Sequence, residues 1–242
     1  MATYGIIGFP LAHSFSKKYF TEKISREKLT GVFFENYELK EIALLNTLLQ
    51  NPDFKGFCIT LPYKKEVLKF LHHATDEVKK MNACNCVKIA NGKLYGYNTD
   101  VVGFEKSFVK QLKPHHKKAL ILGTGGAAAA VEFVLQKLHI EYKFVSRNKT
   151  ENNFSYSHLN EDILSEYTVV INSTPLGTYP KVEEAPEIPY RFITPKHYLF
   201  DLVYNPPLTK FLEKGQQQGA AIQNGYEMLV LQAEENWKIW NG

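Results

Sequence analysis

The stretch from Lys118 to Arg147, KALILGTGGAAAAVEFVLQKLHIEYKFVSR, constrains the fold more than any other part of the chain. A short apolar run (Ala119, Leu120, Ile121, Leu122) leads into Gly123, Gly125 and Gly126, then an alanine-rich helical pattern, then a second apolar run. The order is strand, tight turn, helix, strand. Gly123 permits the sharp turn, Gly125 lets the backbone approach a pyrophosphate, and the following helix offers unsatisfied N–H groups to an anion. Ala128 stands where a small residue lets the helix pack closely on the strand. An ordinary glycine turn is the alternative, and the strand before and helix after weigh against it.

The end of the second strand reads Ser146, Arg147, Asn148, Lys149. An NAD site usually has a carboxylate there to hold the ribose 2′-hydroxyl, and none is present. Arg147 can instead pair with a 2′-phosphate through its planar fork of donors, with Lys149 adding charge. The chain has only three arginines, Arg26, Arg147 and Arg191. A solvated strand end is the competing reading of Arg147, but the glycine turn upstream favours NADP over NAD.

With 242 residues and 44% apolar composition, the chain can build one large domain or two modest ones. Its 29 basic and 25 acidic residues give +4, too mild and too evenly spread to argue for nucleic acid. No run of 18 apolar residues occurs and Met1 leads straight into an apolar strand, so a soluble cytoplasmic protein is expected. Three cysteines, Cys58, Cys84 and Cys86, cannot pair completely and suit a reducing compartment. Cys84 and Cys86 flank Asn85 in an expected strand, which would put both thiols on one face and Asn85 on the other. Enlisting them with His72 and His73 for a metal lacks the usual ligand spacing, and no metal is expected.

Taken in order, Thr3 to Gly8 predicts a buried strand, followed by a helix from near Ser16 towards Lys28. Ser14 can cap that helix, or Ser14 and Ser16 can aim hydroxyls at a ligand beyond the strand's carboxyl end. Val32 to Tyr37 and Gly56 to Ile59 predict further strands, with a helix over Lys40 to Leu49 between them. Pro62 suits the first position of another helix, placing Lys64 in its first turn, where the positive end of the dipole disfavours an ammonium and favours proton transfer. Lys64 and Lys65 could equally form a solvated face. Cys84 to Ile89 and Leu94 to Tyr97 form a hairpin across Asn91-Gly92. Asp100 opens a helix running through Val101, Phe104, Phe108 and Leu112, where it could be a helix-start carboxylate and nothing more. Asn148 to Tyr167 reads as loop-rich. Strands at Thr168 to Ile171 and Tyr198 to Val203 end in polar residues suited to cofactor contact, and a long helix follows Asn224 and Gly225. Met228 and Gln232 share one side of it.

Together these stretches resemble the shikimate dehydrogenase family. The motifs are GFPLAHSFS (Gly8 to Ser16), GFCITLPYKK (Gly56 to Lys65), NACN (Asn82 to Asn85), GYNTDVVG (Gly96 to Gly103) and GTGGAA (Gly123 to Ala128). SRN (Ser146 to Asn148), NSTPLG (Asn172 to Gly177), DLVYNPPLT (Asp201 to Thr209) and NGYEMLVLQA (Asn224 to Ala233) follow in the family's order. The resemblance implies reversible hydride transfer between NADPH and 3-dehydroshikimate, giving shikimate, within aromatic amino-acid biosynthesis. It implies Lys64 as general acid/base with Asp100 as its partner. Ser14 and Ser16 would hold the substrate carboxylate, Thr60, Asn85, Asp100 and Gln232 its hydroxyls, and Tyr204 would close on it. Cofactor contacts would come from Gly123, Gly125, Gly126, Ala127, Ser146, Arg147, Asn148, Lys149, Thr174, Leu202, Gly225 and Met228. Departures are Cys58 for a usual asparagine, Asn82 for glycine, Cys86 for threonine, Lys17 for proline, Asn148 for threonine and Thr178 for methionine.

The expected architecture is an α/β substrate domain over residues 1–99, completed by a C-terminal helix at 226–242. A Rossmann-like, doubly wound NADP domain would occupy 100–225, and the molecule would be a monomer or homodimer acting on a small substrate, with Lys64 and Asp100 facing the nicotinamide across a cleft. The nearest rival is a quinate or quinate/shikimate dehydrogenase. A non-catalytic NADP-binding sensor is less favoured because Lys64 and Asp100 are retained, and a methylene-tetrahydrofolate dehydrogenase because the substrate-facing motifs are of the shikimate type.

Overall fold

The computed structural model describes residues 1–11, 14–147 and 153–242. In chain order the elements are β1 (Ala2–Gly8), α1 (Phe15–Arg26), β2 (Val32–Glu38), α2 (Leu45–Leu48), β3 (Phe54–Ile59), β4 (His73–Ala74), α3 (Asp76–Met81), β5 (Cys86–Ala90) and β6 (Lys93–Tyr97). Then come α4 (Thr99–Phe108), β7 (Lys118–Leu122), α5 (Ala128–Lys137), β8 (Glu141–Ser146), β9 (Asn153–Ser155), α6 (Glu161–Glu166), β10 (Val169–Asn172), β11 (Tyr198–Asp201), α7 (Lys210–Gln217), β12 (Ala221–Gln223) and α8 (Tyr226–Asn241). Two compact units result, Met1–Val102 with Val230–Gly242, and Gly103–Leu229. The divisions fall inside α4 and α8 rather than at the turns before them, because the first turn of each helix packs with a different unit from its remainder.

The first unit holds a mixed sheet in the order β2-β1-β3-β5-β6-β4. β1 lies parallel to β2 and β3, and the β5–β6 hairpin runs antiparallel to β3. Asn91 and Gly92 both take positive φ, 51° and 71°, as a two-residue turn with the twist of its flanking strands requires. Successive residues alternate between two cores: Ile7, Phe57, Ile59 and Val87 in one, Tyr4, Ile6, Cys58 and Cys86 in the other. That alternation is the period of a pleated strand with both faces covered. Cys84 falls in the first core and Cys86 in the second, so the two thiols do not share a face. The strand begins only at Cys86, and the period of two does not extend back to Cys84. All three cysteines are free and buried.

α8 closes the second of these cores. Trp240 stacks on Tyr4 at 4.9 Å and its Nε1 donates to the Val87 carbonyl at 3.0 Å. Gly56 is needed beneath it, since a Cβ there would sit 2.5 Å from Trp240 Cδ1.

The second unit holds a fully parallel sheet in the order β12-β11-β10-β7-β8-β9. Counted from β7 this is 3-2-1-4-5-6, the doubly wound Rossmann order, whose reversal point lies between β7 and β10. The stretch expected to be loop-rich contributes β9 and α6. A three-residue strand and a six-residue helix are too short to carry a hydrophobic period, although Asn160, which caps α6 by accepting from Ile163 N, followed by Glu161 and Asp162, is a helix-start signal. Among the described residues no helix is long and apolar enough to cross a membrane.

Trp240→Ala should cost about 3–5 kcal/mol, because it empties a packed core position and removes the Nε1 bond to the Val87 carbonyl. Calorimetry should show the melting temperature lowered by roughly 6–20 °C.

Candidate active site and nucleotide cleft

In the first unit the chemistry gathers beyond the carboxyl ends of β1 and β3. Thr60 follows β3 directly and is held by its N–H to the Ile7 carbonyl, 3.0 Å. The chain next to it is close-packed, since a Cβ on Gly8 would meet Thr60 Cγ2 at 2.4 Å. The expected helix at Pro62 is absent. Residues 61–65 form turns, and a short 3-10 helix, Glu66–Phe70, follows. The cause is a competing partner: Cys84 N donates to the Lys64 carbonyl at 2.8 Å, and Leu68 N turns to Lys65 O instead. Lys64 therefore precedes a short 3-10 helix instead of standing in the first turn of an α-helix, and the expected dipole argument for its chemistry loses its basis.

A different neighbour governs Lys64. Its Nζ lies 2.7 Å from Asp100 Oδ2, with the two side chains 23% and 13% exposed. Asp100 stands in the first turn of α4, which is anchored by Asn85: Thr99 N donates to Asn85 Oδ1 at 2.7 Å. Asn85 Nδ2 in turn donates to Gln232 Oε1 on α8, 3.3 Å away. Thus Lys64, Asp100, Asn85 and Gln232 form one connected group, which no single stretch of sequence displays. Ser14 caps α1, accepting from Lys17 N at 3.2 Å. Ser16 lies within hydrogen-bonding reach of Cys58, which also feels the charges of Asp100 and Lys64. Asn236, which the sequence reading does not single out, accepts from Thr99 Oγ1 at 2.7 Å and donates to Cys58 Sγ at 3.2 Å. Its signal in the sequence is only its place one turn beyond Gln232.

In the second unit a cleft of about 430 Å³ opens at the reversal point of the sheet. Gly123, Thr124, Gly125, Ser146, Arg147 and Thr174 line it, joined by Tyr156 and Ser173 to Leu176. Gly123 has φ +97°, and a Cβ on it would meet Thr174 Cγ2 at 2.8 Å, so only glycine fits. Nothing lies within 4 Å of a Cβ built on Gly125 or Gly126, and no side chain caps the start of α5 at Ala127. Open backbone at a helix start, an arginine on the lining and, among the described residues, no acidic one there fit a dinucleotide carrying an extra phosphate. Tyr156 comes from the stretch expected to be loop-rich.

Leu202, Gly225 and Met228, also expected at the cofactor, belong to the same unit. Leu202 N donates to Asn172 O and Gly225 N to Val203 O; a Cβ on Gly225 would lie 2.2 Å from Leu202 O. Met228 is buried in α8. Tyr204 is half-buried in the second unit. Asn148 and Lys149 lie outside the described residues. Among the described residues no group of three or more His, Cys, Asp or Glu could hold a metal.

The cleft wall is set from below. Asn172 Oδ1 accepts from Thr174 N (3.0 Å) and Oγ1 (2.6 Å), while its Nδ2 donates to Asp201 Oδ1 at 2.9 Å. Asp201, fully buried, also accepts from Val203 N and Thr209 Oγ1. Burial lifts the Asp201 carboxyl to about 6, against the lowering effect of its three donors. A carboxyl held higher in the folded than in the unfolded chain favours the fold below pH about 4, and that contribution is lost as pH rises through about 6. Asp201→Asn removes the titration. Urea unfolding of the variant and the parent should show the difference between them moving by ~2 kcal/mol in the variant's favour between pH 4 and pH 7.

Known proteins are similar to this chain in sequence and fold. A family model described as the shikimate dehydrogenase substrate binding domain matches residues 6–87. The shikimate dehydrogenase (NADP(+)) of Caldicellulosiruptor saccharolyticus is 33% identical over 253 residues, covering 97% of this chain and 90% of that protein. Among solved structures, a chorismate mutase/shikimate 5-dehydrogenase fusion protein from Clostridium acetobutylicum is 32% identical, with a TM-score of 0.86, over 100% of this chain and 91% of that one. The Thermus thermophilus shikimate 5-dehydrogenase in complex with NADP(H) and shikimate is 26% identical, with a TM-score of 0.86, over 100% of this chain and 94% of that one.

Proposed function

The chain belongs to the shikimate dehydrogenase family, and we propose that it catalyses the reversible NADPH-dependent reduction of 3-dehydroshikimate to shikimate, with Lys64 as proton donor and acceptor. The observation that carries this reading is the 2.7 Å contact between Lys64 Nζ and Asp100 Oδ2 in a partly buried setting. NADPH, when bound, supplies the hydride. As the carbonyl carbon is reduced, negative charge grows on its oxygen, and the Lys64 ammonium stabilises that charge and delivers the proton. In the reverse direction the neutral amine takes the proton of the shikimate hydroxyl. Asp100 fixes the ammonium's position, a role that needs a short contact and a rigid helix start.

The remaining groups suit an oxygen-rich acid. Asn85 and Gln232 present amide hydrogens to ring hydroxyls, Thr60 adds a hydroxyl, and Ser14 and Ser16 offer hydroxyls to the carboxylate. Tyr204 is assigned to the substrate by the family resemblance. On the cofactor side the Gly123 turn, Gly125, Gly126 and Ala127 would meet the pyrophosphate. Ser146 and Arg147, with Asn148 and Lys149, would meet the 2′-phosphate. Thr174, Leu202, Gly225 and Met228 would lie along the rest of the dinucleotide. The substrate domain is assigned to residues 1–99 with 226–242, and the cofactor domain to 100–225.

Reduced-cofactor absorbance, followed with shikimate or quinate and NADP or NAD in all four pairs, tests the reading. Shikimate with NADP should give the highest kcat/KM; no turnover with that pair would sink the proposal. Arg147→Ala should raise the KM for NADP about 10–100-fold and leave that for NAD near its starting value, since it removes charge-assisted bonds worth about 1.5–3 kcal/mol.

A further inference from the structure

Position 58, where the family resemblance places an asparagine, carries a cysteine, and a carboxamide reaches the same spot from α8 instead. Asn236 is 3% exposed and its Nδ2 donates to Cys58 Sγ at 3.2 Å. Its Oδ1 accepts the hydroxyl of fully buried Thr99 at 2.7 Å. One amide therefore ties β3, the start of α4 and α8 together. Each of the three carries a reacting or binding group nearby: Thr60 two residues after Cys58, Asp100 next to Thr99, and Gln232 one turn before Asn236.

The direction of the hydrogen bonds gives this tie a consequence. Thr99 N can only donate, and it occupies Asn85 Oδ1 at 2.7 Å. Asn85 must then turn its NH₂ outward, one hydrogen going to Gln232 Oε1. Gln232, its oxygen used, is left with donors to offer. The Thr99 hydroxyl also lies 3.2 Å from Asn85 Oδ1, but it has one hydrogen and the closer acceptor is Asn236. Cys58 is held as a neutral thiol, because burial pushes its ionisation well up, so it meets the Asn236 NH₂ as a weak acceptor without a charge of its own.

We propose that Asn236 is a positioning residue for substrate selection, acting through Thr99 to fix the amides of Asn85 and Gln232 as donors to the substrate's ring hydroxyls. The inference rests on the shikimate dehydrogenase reading and deepens it. Asn236 itself touches no reacting atom. Its removal takes away the closer acceptor of the Thr99 hydroxyl and with it the tie between α8 and the start of α4, so that Asn85 on one side and Gln232 on the other are no longer held in one register.

The test compares wild type, Asn236→Ala, Thr99→Val and the double variant, using shikimate and an analogue lacking the hydroxyl next to the reacting carbon. Asn236→Ala should lower kcat/KM for shikimate about 10–100-fold, leave the KM for NADP within about twofold, and lower kcat/KM for the analogue by a clearly smaller factor. Thr99→Val should act in the same direction, and the double variant should be no worse than the poorer single one. Equal losses on shikimate and the analogue, or additive effects in the double variant, would overturn the inference. If Asn236→Ala does not fold, Thr99→Val keeps its Cβ shape and decides through the same two-substrate comparison. Absence of shikimate turnover in wild type would instead remove the underlying functional reading.

Discussion

The hydrogen bond from Thr99 N to Asn85 Oδ1 is the contact on which the reactive half of the molecule depends. It satisfies one of the N–H groups left open at the start of α4 and fixes where that helix begins. Asp100 is the next residue, so the start of α4 decides whether its carboxylate meets Lys64. A partly buried ion pair of this kind is poor evidence of a stability device, since desolvation offsets much of the attraction. In the proposed reaction its worth lies in holding one ammonium in one place. The surrounding bonds to Gln232 and Asn236 would serve the same end, because a mobile pair would have to be reordered at each turnover.

The second unit answers to a different constraint. Position 123 requires glycine because its φ is positive and Thr174 crowds the space where a Cβ would go. Thr174 is in turn held by Asn172, and Asn172 by the buried Asp201. The open cleft thus has a rigid floor made of backbone and short polar side chains. Its open side holds the uncapped start of α5 and Arg147, groups that favour anions. Rigidity below and unsatisfied donors above are what a preformed phosphate site requires.

Much of this could be read from residue order. The strand–glycine–helix pattern after Lys118 predicts the Rossmann half because its period and turn chemistry are local. Asn91-Gly92 predicts its hairpin for the same reason. The resemblance to a known family supplies Lys64 and Asp100 as a pair, which spacing alone could not. What stays hidden depends on distant partners. Pro62 favours a helix locally, yet Cys84 N captures the Lys64 carbonyl and turns the segment into bends and a 3-10 helix. Cys84 and Cys86 part company because the strand starts between them and not before. β9 and α6 escape notice because so few residues carry no period. Asn236 is invisible for the opposite reason: its position is plain, but its partners, Cys58 and Thr99, are far away in sequence.

In the proposed reaction Lys64 moves the proton while Asp100 holds its ammonium in place. The most direct measurement is the single-turnover rate of hydride transfer in Lys64→Met with NADPH and 3-dehydroshikimate, alongside cofactor affinity by fluorescence. The expected result is a rate lowered by about 10²–10⁴-fold with cofactor affinity unchanged. A rate within a few-fold of the parent would contradict it, and the proton would have to come from another group.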